Sequence, residues 1–284
     1  RDVAPSRGLG DVYKRQYKDR QGTIWLGTYY GGVNYFNPET DIFTVYAANN
    51  SRNDCLNYPF VGNIVEDKDN NIWICTEGGG LNFFDRKTKK FTYFMADENR
   101  NSIAHNNLKA IAYSPERNKL YIGTHTGGLS IYDIKNKRFK NPYFEDPSYA
   151  VIAGDRINQM RIYNDELICT GPKGIFKMNL YTEKVSPLFK SGKYYGNTCF
   201  LIDSKGYIWL AYGKGVWKIN LENEEDKVQY RSGENGLGTF PISQIIEDKE
   251  GRIFLGTRGS GLFHYDELSL IHISEPTRRS YISY

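Results

Sequence analysis

The sequence predicts an all-β protein, a β-propeller of which six four-stranded blades are present. Three observations predict it. One short apolar pattern recurs six times: Ile24-Trp25-Leu26-Gly27-Thr28, Ile72-Trp73-Ile74-Cys75-Thr76, Leu120-Tyr121-Ile122-Gly123-Thr124, Leu167-Ile168-Cys169-Thr170, Ile208-Trp209-Leu210-Ala211-Tyr212 and Ile253-Phe254-Leu255-Gly256-Thr257. Anchored at 25, 73, 121, 167, 209 and 254, the copies are 42 to 48 residues apart, a period that marks a repeat array. Between them no segment carries the 3.6-residue apolar period of an amphipathic helix, which excludes alternating strands and helices.

Each element then follows in order. A first strand, such as Asn63-Ile64-Val65-Glu66-Asp67 or Gln244-Ile245-Ile246-Glu247-Asp248, leads into a polar turn such as Lys68-Asp69-Asn70-Asn71. The anchor pattern is the second strand. Behind it come glycine-rich turns, Glu77-Gly78-Gly79-Gly80 and Arg258-Gly259-Ser260-Gly261 among them, where glycine supplies the positive φ a tight turn needs. A third strand alternates polar and apolar residues, as in Leu81-Asn82-Phe83-Phe84-Asp85 and Val216-Trp217-Lys218-Ile219-Asn220, and a fourth, such as Lys90-Phe91-Thr92-Tyr93-Phe94, completes the unit. Four short strands per period is the arithmetic of propeller blades. The blades span about 17–60, 61–107, 108–155, 156–196, 197–241 and 242–268. In the last, Phe263-His264-Tyr265-Asp266 leaves the repeat without a fourth strand, so the sequence does not decide ring closure.

Residues 1–16 and 269–284 do not fit the repeat. They resemble translated adapter read-through and are set aside as non-native, as fusion scars are. The formal charge of +4 lies largely there: Arg1, Arg7, Lys14, Arg15, Arg278 and Arg279 stand against Asp2, Asp11 and Glu275. The repeat itself is close to neutral, with no basic cluster of the kind that marks nucleic-acid binding. At 39% hydrophobic with 15 Phe and 23 Tyr, the chain is too apolar and aromatic for intrinsic disorder. Four Cys exclude a disulfide scaffold, and no apolar run is long enough to span a membrane as a helix.

The second strand holds a small residue, Gly27, Cys75, Gly123, Cys169, Ala211 or Gly256, over which a neighbouring blade can pack, so Cys75 and Cys169 read as buried small hydrophobes. Cys55 falls in a loop and Cys199 in a first strand, with no C-x-x-C spacing for zinc or redox work. Trp25, Trp73, Trp209 and Trp217 read as packing between blades.

The pattern Glu66-Asp67-x4-Ile72-Trp73-Ile74-Cys75-Thr76-x3-Gly80-Leu81-Asn82-x2-Asp85-x2-Thr88-x2-Phe91-x2-Phe94, continued by Asn101-Ser102-Ile103-x3-Asn107, resembles the two-component regulator propeller repeat. The resemblance runs over about 17–267, with blades four and five drifting at Gly171-Pro172-Lys173-Gly174 and Tyr212-Gly213-Lys214-Gly215. It implies the periplasmic ligand-sensing region of a hybrid sensor histidine kinase, with an oligosaccharide or other small ligand and a homodimer in the full-length protein. It also implies about twice seven blades, a small β-sandwich, a membrane span, a kinase and a DNA-binding regulator, so the chain reads as an interior fragment whose contact with the membrane runs only through other segments.

Propellers place inter-blade loops and the turns between second and third strands on one face. That geometry nominates Tyr29, Tyr30, Glu77, His125, Lys173, Lys214 and Arg258 from the turns, and Arg52, Tyr58, Arg100, His105, Tyr194 and Tyr195 from the loops. Flat aromatic faces beside amide and guanidinium donors suit a neutral or weakly acidic sugar. Tyr29 and Tyr30 stand out as adjacent exposed aromatics with no packing role.

Two other function classes stay open. A protein-interaction scaffold would use the same face. A propeller lyase or glycosidase-like enzyme would need a His base beside a carboxylate and a metal; of His105, His125 and His264, only His125 is placed for it. Asp203-Ser204-Lys205-Gly206-Tyr207-Ile208-Trp209 approaches a sialidase Asp box with its carboxylate one position early, and reads as an ordinary hairpin turn. No cofactor, metal site or catalytic residue is expected.

Overall fold

In the computed structural model, which describes residues 13–28, 32–37, 42–49, 54–98, 101–142, 156–171, 174–190, 199–211, 215–234, 237–239, 241–266 and 269–273, every blade turns at two left-handed positions. Three residues before each anchor stand Gly22, Asn70, Asn118, Asn164, Gly206 and Gly251, with φ of 83, 65, 52, 50, 81 and 77°. Only Gly and Asn occur there, the residues that reach this region at least cost. After the second strand come Gly32, Gly80, Gly128 and Gly261 at φ 68–77°, where the preceding threonine (Thr28, Thr76, Thr124, Thr257) donates its hydroxyl to the glycine carbonyl. In the drifting blades Gly174 and Gly215 take φ of 139 and 150° instead.

The turns connect six antiparallel four-stranded sheets, each in simple sequence order. The first holds β1(Tyr13–Lys18), β2(Ile24–Thr28), β3(Val33–Asn37) and β4(Ile42–Tyr46); the second β5(Val61–Glu66), β6(Ile72–Thr76), β7(Leu81–Asp85) and β8(Lys90–Phe94). The third holds β9(Leu108–Ser114), β10(Lys119–Thr124), β11(Leu129–Asp133) and β12(Arg138–Lys140); the fourth β13(Gln159–Tyr163), β14(Glu166–Gly171), β15(Gly174–Asn179) and β16(Val185–Lys190). The fifth holds β17(Cys199–Ile202), β18(Tyr207–Ala211), β19(Gly215–Asn220) and β20(Lys227–Arg231); the sixth β21(Ile242–Glu247), β22(Ile253–Thr257), β23(Leu262–Asp266) and β24(Ser269–Ile273). The last strand comes from outside the repeat. The repeat supplies no fourth strand to the sixth blade, yet Ser269–Ile273 pairs with β23 in full register from Leu262↔Ile273 to Asp266↔Ser269, using a segment rich in β-forming residues.

The chain divides into two compact units, residues 1–171 with 175–187 and residues 172–174 with 188–284. Within the first, consecutive first strands lie side by side, β1 by β5, β5 by β9 and β9 by β13; within the second, β17 lies by β21. Aromatic anchors pack from blade to blade as expected: Trp25 meets Phe84 at 5.8 Å, Trp73 meets Tyr132 at 5.7 Å and Trp209 meets Tyr265 at 4.6 Å between ring centroids. Trp217 meets Phe189 at 5.1 Å. Cys75 and Cys169 are buried, and burial pushes the Cys169 thiol up to about 12. At Gly123 a side chain would run into Ile157 of the next blade, so the small residue is a packing requirement.

A carboxylate fixes the turn between first and second strands. Asp67 Oδ1 accepts from the amides of Asp69 and Asn71, and its Oδ2 accepts from Trp73 Nε1 at 2.9 Å. Asp19 and Asp203 hold Trp25 and Trp209 the same way, at 2.9 and 2.7 Å. The turn at Asp203 is thus more than the ordinary hairpin expected. In blade six Asp248 keeps its amide contacts but takes Arg252 Nε in place of an indole. Blade three has Ser114 at the corresponding place, and its buried anchor Tyr121 has no partner for its hydroxyl; burial raises that phenol to about 12.

Two stability tests follow by urea unfolding. Asp67→Ala strips three donors of a charged acceptor and is expected to cost about 3–5 kcal/mol, whereas Asp248→Ala, whose Arg252 partner is exposed, changes the midpoint little. Tyr121→Phe removes an unsatisfied buried hydroxyl and is expected to be neutral or to stabilise by about 1 kcal/mol.

Candidate functional site

The loop entering blade three is tied to the turns of two blades through two adjacent residues. The Asn106 carbonyl accepts from the amides of Gly78 and Gly80, at 3.1 and 2.9 Å. Asn107 pairs with Glu77 in an antiparallel bridge, and its carbonyl accepts from the His125 amide at 2.9 Å. The Asn107 amide in turn donates to His105 Nδ1 at 2.9 Å, which puts the His105 ring proton on Nε2. Ile157 N donates to Thr124 O at 3.1 Å, bringing Arg156 alongside the His125 turn. Loop and turn thus share one face at this junction, as the fold requires.

The side chains gathered there are charged. Lys109 Nζ lies 2.5 Å from Glu77 Oε2, with both side chains largely buried. Among the neighbours of His125, buried polar atoms remain without a protein partner at His125 Nδ1 and Asn107 Oδ1. A buried polar group in that state costs free energy that a bound group can recover. Burial lowers the His125 pKa, and the positive charges of Arg156 and Lys109 lower it further.

Of the residues nominated from sequence, Glu77, His105 and His125 come together here. Tyr58 adjoins them, but its ring covers the turn: side chains at Gly78 or Gly79 would collide with it, and it meets Phe60 at 5.7 Å. Arg258 occupies the matching turn of blade six, its amide donating to Pro241 O at 3.0 Å. Tyr29, Tyr30, Arg52, Arg100, Lys173, Tyr194, Tyr195 and Lys214 lie outside the described residues. Sequence reading missed Asn107, Lys109 and Arg156. Lys109 left a signal, a cation within the otherwise apolar stretch Leu108–Ala112; Arg156 is the first residue of the fourth blade as drawn from the repeat. Among the described residues no group of three or more His, Cys, Asp or Glu is placed to hold a metal ion.

Residues 55–78 match the model of the two component regulator propeller family. No curated protein sequence matches the chain. Among solved structures it is similar to what is described as the extracellular domain of the hybrid two component system BT3049 from B. thetaiotaomicron, at 24% identity and a TM-score of 0.71 over 91% of this chain. The chain spans 34% of that structure's length. It is also similar to PorZ, described as a bacterial surface component of the type-IX secretion system of Porphyromonas gingivalis, at 15% identity and a TM-score of 0.66, covering 93% of this chain and 41% of that one. Streptogramin B lyase is similar at 13% identity and a TM-score of 0.61, covering 85% and 75%. At these identities the likeness establishes the β-propeller fold, which the extracellular domain, the surface component and the lyase share.

Because the folded pKa of His125 lies below the ordinary value of about 6.5, the folded chain binds fewer protons there than the unfolded one. The stability this contributes is present above about pH 6.5 and is lost as pH falls through that value towards the folded pKa. Arg156→Gln is expected to raise the His125 pKa part of the way back, read by NMR titration of the ring; an unchanged value would remove Arg156 from the electrostatics of the site.

Proposed function

We propose that this chain, a β-propeller carrying a two component regulator propeller repeat, is part of the extracytoplasmic ligand-sensing region of a hybrid two-component sensor histidine kinase, and that its ligand is an oligosaccharide. The observation that carries the reading is the polar cluster around Asn107, where a turn from blade two, a turn from blade three and the loop into blade four present hydrogen-bonding and charged groups at one place. Sugars are recognised by such convergent donors and acceptors. The similarity to an extracellular sensor domain supports the location and the signalling role.

The function needs no chemical step in this chain. A ligand that binds one arrangement of the sensor more tightly than another shifts the population between them, and in a dimer that shift passes through the membrane to a kinase. A scaffold would bind a protein on the same face, and a lyase would turn over its ligand at His125.

Isothermal titration of the folded chain against a panel of neutral and acidic oligosaccharides is expected to give saturable heat with at least one, without turnover. No heat with any glycan from a chain that unfolds cooperatively would sink the sugar reading; product formation lost in His125→Ala would favour the lyase.

A further inference from the structure

The charges around His125 are engaged within the chain. Lys109 is paired with Glu77, and Arg156 also interacts within the chain. His105 adds no positive charge, because its Nδ1 accepts from the Asn107 amide and the ring holds its one proton on Nε2. The arrangement therefore does not select an anion.

What remains unmet belongs to two hydrogen-bonding side chains. Asn107 Oδ1 and His125 Nδ1 are buried without a protein partner, although each residue as a whole is only half-buried. The His125 amide donates to the Asn107 carbonyl at 2.9 Å, so the two residues lie side by side where the loop into blade three meets the turn of that blade. Asn107 Oδ1 can only accept, and a carboxylate has no proton to give it. An ammonium would meet it, but would bring a further cation to the neighbourhood of Arg156 and Lys109. His125 Nδ1 accepts or donates according to the ring tautomer. A hydroxyl serves both atoms, since it donates and accepts and carries no charge.

We propose that Asn107 and His125 form a subsite for a neutral sugar, one hydroxyl donating to Asn107 Oδ1 and a neighbouring hydroxyl bonding His125 Nδ1. This rests on the sugar-sensing reading and narrows it to a ligand uncharged at this position. Hydroxyls on adjacent ring carbons are held by one rigid frame, so the second bond forms with little further loss of freedom. The bonds that Asn107 makes to His105 and to the His125 turn use its main-chain amide and carbonyl. Asn107→Ala therefore removes Oδ1 and leaves those bonds in place.

The test titrates glucose, galactose, mannose, xylose, glucuronate and galacturonate separately into the isotopically labelled chain, following the His125 ring and the Asn107 side-chain amide. At least one neutral sugar is expected to move both sets of resonances along one saturation curve, and the two uronates to bind no more tightly than glucose and galactose. Asn107→Ala and His125→Phe, each checked for cooperative unfolding, are each expected to weaken the neutral sugar at least tenfold. Silence of both residues with every neutral sugar, a uronate that binds more tightly than its parent sugar, or affinity unchanged in either folded variant would overturn the neutral subsite. Oligosaccharide heat that neither variant alters would overturn it as well, while leaving the sensor reading intact. Absence of heat with every oligosaccharide would instead remove the sensor reading itself.

Discussion

A buried aspartate at the start of the turn is the interaction from which blades one, two and five are built. Asp19, Asp67 and Asp203 are nearly inaccessible, and a carboxylate can be buried only if its lone pairs are filled. Two are filled by amides of its own turn and one by the indole two strand positions beyond, so a single group closes the hairpin and orients the tryptophan. That tryptophan then faces the aromatic of the next blade. Local turn chemistry and inter-blade packing are thereby one constraint.

A second contact repeats with it and links blades directly. The residue after the aspartate gives its amide to a side chain at the end of the next blade's first strand: Arg20 N to Glu66, Lys68 N to Tyr113 OH and Ser204 N to Glu247. Glu66, Tyr113 and Glu247 are structurally equivalent, each opposite the residue before the anchor. Between blades one and two Arg86 adds to this latch, reaching Asp19 at 2.8 Å while lying over Trp25. Between blades three and four the outer edge uses other means: Arg117 covers the Tyr181 ring at 4.0 Å, and Lys119 and Lys140 share Glu183. Blade four turns tightly at Asn164 and has Arg161 where blades one, two, five and six place aspartate by count from the anchor, so it has no carboxylate there to build the clip.

What was legible in the sequence was whatever depends on near neighbours. The left-handed turn residues stand at fixed offsets from each anchor, so Gly or Asn at those places declares the hairpins, and the small residue of the second strand declares a close neighbour. The aspartate clip was also present in the sequence, six residues before the indole, but spacing alone does not distinguish a carboxylate that bonds an indole from one that merely starts a turn. The latch was not legible: its partners are 43 to 46 residues apart and differ in chemistry, a carboxylate in two cases and a phenol in the third. Lys109 was hidden for a related reason, since a strand residue reads as packing until the turn it faces is known. The last strand, Ser269–Ile273, lies outside the repeat and carries no anchor by which to place it.

The position of the polar cluster follows from these constraints. Blades one, two and five close their turns with an aspartate-indole clip and hold the next blade through the latch, so most of their polar groups are satisfied at the end where the first and second strands meet. The cluster forms at the opposite end of the strands, where Asn106 and Asn107 tie the Glu77 and His125 turns together. A group bound there would touch three consecutive blades while leaving every clip intact. Its binding free energy would bear on the junctions between blades two, three and four, and the junction between three and four is the one without the indole clip on either side. Packed interfaces respond to such a load by shifting between discrete arrangements rather than by gradual deformation. A ligand at the cluster would therefore act on the part of the array least fixed by its own turn chemistry.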